Sequence, residues 1–140
     1  MSAQHANYAR RTKVPAERTR VEIEDLMRKR GANQFFSAAD ARRVWLAFRI
    51  NGRHIRFTLP LPEHPSAQLV RTRWRALLLV VKAKLEAVDI GITTLEEAFI
   101  GETVLPDKQT VAEYLAPQIA TTYASGKMPP LLPWHGSEAH

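Results

Sequence analysis

Residues 43–59 read RVWLAFRINGRHIRFTL, and this stretch decides the fold. Two apolar-alternating runs, 42–50 and 53–59, flank Asn51-Gly52. That dipeptide is the strongest short hairpin signal, because a type I′ turn needs positive φ at both central residues. A two-residue turn also fixes the register. Ile50 then opposes Arg53, Phe48 opposes Ile55, Leu46 opposes Phe57 and Val44 opposes Leu59. These apolar partners define a core face. The other face presents Arg43, Trp45, Ala47, Arg49, His54, Arg56 and Thr58.

Upstream, residues 33–37 (NQFFS) read as a short third strand. Before it, residues 16–30 carry Val21, Ile23, Leu26 and Met27 on one broad face. Pro15 suits a first helical turn and Gly31 a C-terminal stop, so a helix is expected between them. Downstream, Pro60 and Pro62 end the hairpin, since proline cannot donate to a ladder. Ser66 can cap a helix running to about Asp89. Its stretch WRALLLVVKAKLEAV is apolar around most of its circumference, which predicts a central buried helix. Thr93 and Thr94 precede Glu96 and Glu97 by three residues, two overlapping capping boxes that open a short helix. Thr110 and Glu113 make a third, opening a helix from Val111 to about Ser125, with Pro117 expected to kink or divide it. Leu95, Phe99, Val104, Leu105, Val111, Tyr114, Leu115 and Ile119 are expected to pack against the long helix.

The expected fold class is therefore α+β. It has an N-terminal helix, a small antiparallel three-stranded sheet with an Asn-Gly hairpin, a long buried helix and two shorter helices. Residues 14–126 form a single domain in this reading. Residues 1–13 are expected to be a disordered basic arm, and residues 127–140 an extended Pro-rich tail.

Charge is unevenly placed. Residues 1–89 carry 18 Lys/Arg against 8 Asp/Glu, whereas residues 90–140 carry 2 against 6. Of the 20 basic residues 14 are arginine, the planar donor suited to phosphate. A basic lobe beside an acidic one points to an anionic partner for the first. The chain has no cysteine, which excludes disulfides, thiol catalysis and cysteine-based zinc sites. No apolar run has the length of a membrane span and no signal peptide is visible, so a cytoplasmic location is expected.

Two constellations carry the functional reading. On the hairpin face, Arg43, Arg49 and Arg56 supply cations while Trp45 and His54 supply rings. Such a face holds single strands, with bases stacked on rings and phosphates paired with cations. Its structural alternative is a half-solvated face with Trp45 covered by a helix. The second constellation is Arg71, Arg73 and Arg75 around Trp74, near a helix start where cations oppose the helix dipole. Trp74 itself reads as core. The five histidines show no metal-ligand spacing, and no nucleophile elbow, Walker loop or dinucleotide fingerprint is present. No catalytic residue, metal or cofactor is expected.

The segments IRFTLPLP, RWRALLLVVKAKLEAVDIGITTLEEAF, VLPDKQTVAEYLAPQI and MPPLLP together resemble a family of small, mostly uncharacterised tailed-phage and prophage proteins, across residues 14–133. The resemblance implies phage or prophage origin and action in the host cytoplasm, and carries over no site residue. The order helix–strand–strand–strand–helix over residues 16–88 is also similar to that of the double-stranded RNA-binding domain. The Lys-rich motif of that family is missing, since Arg71, Arg73 and Arg75 lie one to two turns inside the second helix.

The leading expectation is a phage-encoded protein that binds or anneals single-stranded DNA in replication or recombination, with self-association through its acidic half. One alternative is an anti-defence or host-takeover protein that binds and inhibits a host protein. The second is double-stranded RNA binding.

Overall fold

The computed structural model describes residues 16–128. The basic arm and nearly all of the Pro-rich tail anticipated from sequence lie outside them. Asn51 and Gly52 have φ of 51° and 75°, as a type I′ turn requires. They join β2 (Arg43–Ile50) to β3 (Arg53–Pro60), which pair antiparallel in the register set by the turn. β1 (Asn33–Ala39) pairs with the other side of β2, giving the order β1-β2-β3. It runs two residues beyond the expected strand. The β1 register shifts between Asn33 and Phe36, and Gln34 takes a positive φ of 54° within that shift. This is a β-bulge, an extra residue that re-aims the side chains on one side of it.

Two helices cover the inner face of the sheet. α1, residues 16–28, buries Ile23 and Met27 completely. α2 (Ala67–Asp89) starts at Ser66, whose hydroxyl accepts from the Leu69 N–H at 3.0 Å. Val70, Trp74, Leu77, Leu78, Val81 and Leu85 form its buried stripe. They join Leu46, Phe48, Ile50, Ile55 and Phe57 in one core. The sequence predicts a helix buried round most of its circumference, but α2 is buried along this stripe alone. Leu79 and Val80 stay 65% and 46% exposed. Ion pairs Lys82–Glu22 (3.4 Å) and Arg30–Asp89 (2.8 Å) show that α1 and α2 run side by side in the same direction.

After α2 come α3 (Leu95–Ala98) and a 3-10 turn, Ile100–Glu102. Thr94 and Glu97 form a complete capping box. The expected second box does not form, because the Glu96 carboxylate accepts from the Asn51 side chain at 2.8 Å instead. Phe99 is 1% exposed and meets Phe57 edge to face. Thr103 then bridges to Ile55, and the Val104 N–H donates to the His54 carbonyl at 2.8 Å. This short segment partly shields the free edge of β3.

α4 (Val111–Ser125) begins at the Thr110–Glu113 capping box and ends at Gly126, where φ is 71°. It passes through Pro117 as one helix rather than dividing there. The carbonyl that loses its donor belongs to Glu113, in an exposed first turn open to water. The expected packing of the C-terminal apolar residues on the long helix holds for Leu95 and Phe99, which join the core that α2 forms, and is corrected for α4. Of the eight, Phe99 alone is buried, and α4 buries none of its residues. α4 sits against the 3-10 turn and is held by polar contacts at its start.

Candidate nucleic-acid interface

The hairpin register places Arg43, Trp45, Arg49, His54 and Arg56 on the outer face, away from α1 and α2. β1 extends that face. Ala38, Trp45 and Thr58 form one cross-strand row, and Phe36, Ala47 and Arg56 form the next. Asn33, Arg49 and His54 form a third. No residue of these rows is buried, so none of the described helices seals the face.

Phe36 is the residue that sequence reasoning missed. It is 62% exposed in the middle of β1. Its neighbour Phe35 turns inward, its ring 5.6 Å from that of Phe48. The bulge at Gln34 separates Phe36 from the parity of Asn33. The one available signal was the Phe-Phe pair itself, because adjacent strand residues must point to opposite faces. Phe36 stands opposite Ala47, whose neighbour on that face of β2 is Trp45, so Phe36 and Trp45 are diagonal residues with Cα atoms about 7–8 Å apart.

Trp45 is half-buried, and the Arg43 guanidinium lies 5.0 Å from its ring centre. Arg43 also pairs with Asp40 at 3.5 Å. Asp40 is kept below the usual carboxylate range by the N–H of Arg42, with smaller help from Arg43. An exposed cation–π contact is worth about 0.5–1 kcal/mol. An incoming base, worth about 1–3 kcal/mol of stacking, can therefore displace Arg43 from the ring.

Arg49 is half-buried and has no carboxylate partner among the described residues. It lines a depression of about 250 Å³ with Asn33, Gln34, Asn51 and the backbone of Gly31 and Gly52. His54 is exposed beside it.

Arg56 differs from the expectation of a free cation. One of its nitrogens donates to the Lys108 carbonyl at 2.9 Å and the other to Glu113 at 2.7 Å. It fastens the start of α4 to the sheet. Glu113 titrates lower than an ordinary glutamate because it accepts the Thr110 N–H, with further help from Arg56.

Arg71, Arg73 and Arg75 lie in the helix layer, on the opposite side of the sheet from the Phe36–Trp45 face. The reason is Trp74, which is 4% exposed and points into the core between them. Arg73 reaches back to the Pro60 carbonyl at 2.7 Å, anchoring α2 to the end of β3. The eight candidate residues therefore make two surfaces rather than one.

Among the described residues no three His, Asp or Glu side chains gather as a metal site. None of the described helices is long and apolar enough to cross a membrane. No family model, curated protein or solved structure matches the chain.

Proposed function

We propose that this protein binds single-stranded nucleic acid, with single-stranded DNA favoured, on the outer face of its sheet. The observation that carries the reading is the pairing of accessible rings with an unpaired cation. Phe36 is exposed and Trp45 is partly exposed on adjacent strands, and Arg49 stands beside them without an acid partner among the described residues. Phe36 and Trp45 are platforms for two bases. Arg43 and Arg49 flank them along β2, where phosphates of the same strand would pass. His54 adds a ring at the hairpin end. Stacking of this kind tolerates any base, so the binding is broad in sequence.

We propose that such an activity serves replication or recombination, including the annealing of strands, the setting that the resemblance to phage proteins suggests. Binding of labelled single-stranded DNA, duplex DNA and duplex RNA at two salt concentrations tests it. The expected result is tighter binding to the single strand, falling steeply with salt as counterions are released. Equal binding to all three would reduce the face to a general cationic surface. No binding at low salt would reject the reading and favour a host protein as the partner.

A further inference from the structure

Toward one end of the molecule cations outnumber carboxylates along the groove between α1 and α2. Glu22 of α1 meets Lys82 of α2 across it. Arg18 lies one turn before Glu22 on the same stripe of α1. Arg75 and Arg71 lie seven and eleven residues before Lys82, on the same stripe of α2. Because the helices run in parallel, Arg18, Arg71 and Arg75 converge beyond the Glu22–Lys82 pair. Ala16, Glu17, Trp74, Ala39 and Val44 line one depression of about 310 Å³, which puts the start of α1 and the Trp74 turn of α2 beside the β1–β2 end of the sheet. Arg42 and Arg43 project from that turn, and Leu61 donates to the Arg42 carbonyl at 2.7 Å.

The carboxylates at this end are Glu17, Asp40 and Glu63. Asp40 is paired with Arg43 and Glu63 with Arg42. Arg18, Arg71 and Arg75 have no acid partner among the described residues. Trp74 is buried, so it offers no ring for stacking at this end. Cations without rings can pair with phosphates but offer no platform on which an unpaired base could stack. A duplex, whose bases are already stacked and paired, satisfies that chemistry.

We infer that this end is a second nucleic-acid surface, specific for duplex backbone, and that the protein recognises a junction between single and double strand. The inference rests on the single-strand reading of the sheet face. Arg43 belongs to both surfaces: it covers Trp45 on the outer face and springs from the turn at the cationic end. A strand leaving the Phe36–Trp45 platform past Arg43 would enter the duplex at Arg18, Arg71 and Arg75.

The test uses the full chain and three DNA probes: a short single strand, a blunt duplex, and that duplex carrying the strand as an overhang. The overhang probe should bind more tightly than either part alone. Arg71→Glu/Arg75→Glu should bring it down to the level of the short strand while leaving the short strand's affinity unchanged. The milder Arg71→Gln/Arg75→Gln should lower the salt slope on the overhang probe by about 2, one contact per arginine. Circular dichroism establishes that both variants fold. Junction binding that is unchanged by either variant would overturn the inference, as would an equal loss on the short strand. Failure of the underlying reading looks different: Phe36→Ala/Trp45→Ala would then leave the short strand's affinity unaltered.

Discussion

Phe36 and Trp45 lie diagonally across the β1–β2 ladder on the outer face, each beside Ala47, while their sequence neighbours Phe35 and Leu46 point into the core side. Ala47 keeps the space between the rings low. Two flat apolar surfaces are thereby presented at neighbouring levels, with Arg43 and Arg49 at either end of the β2 row. A solvated sheet face requires no such arrangement, and burying Phe36 would have gained hydrophobic stabilisation.

The arginines of this face are expected to separate by role. Arg49→Glu should weaken single-strand binding strongly and lower its salt dependence, because Arg49 is free to meet phosphate. Arg56→Ala should change binding little and lower stability by about 1–3 kcal/mol, because Arg56 is already held by Glu113 and the Lys108 carbonyl. Titrations at two salt concentrations, with urea melts alongside, check the contrast.

The two tryptophans of the described chain should behave oppositely. Trp74→Ala removes a side chain that is 4% exposed in the core and should cost about 3–5 kcal/mol. Trp45→Ala removes a half-buried ring on the open face and should cost less, about 1–2 kcal/mol. Equilibrium unfolding of both variants measures the difference.

Acid should loosen the attachment of α4 first at Glu113. Its folded pKa is depressed by the Thr110 N–H and by Arg56, so its contribution is present above the unfolded value of about 4.5 and is lost as pH falls through the lower folded value. Amide exchange in α4, compared with that in α2, should rise selectively in that window. Glu113→Gln should abolish the pH dependence of this difference. Thr110→Ala, which removes the cap, should destabilise by about 0.5–2 kcal/mol at any pH.

The hairpin turn gives a clean backbone test. A methyl added at Gly52 meets nothing within 4 Å, yet its φ is 75°. Gly52→Ala should therefore cost about 1–2 kcal/mol through conformation alone, without changing binding once the protein is folded. Unfolding in denaturant and a binding titration measure the two parts separately.

The hairpin, the Ser66 start of α2 and the Thr110 start of α4 were legible because each is set by residues within four positions of one another. Phe36 was not, because its direction depends on a bulge at Gln34 that no local residue type announces. The engagement of Arg56 was hidden for a different reason: Glu113 lies 57 residues away. The packing of α4 was misjudged because apolar content says how much can be buried, not against what. Arg71, Arg73 and Arg75 were visible as a cluster, but only the burial of Trp74 reveals which side of the sheet they occupy.

The central claim is that the rings of the outer face hold bases. The most direct measurement is the affinity of a short single-stranded DNA for the wild type and for Phe36→Ala, Trp45→Ala and the double variant, each verified as folded. The account predicts a loss of about 1–3 kcal/mol for each ring, larger in the double variant. Affinities that match the wild type in all three variants would contradict it.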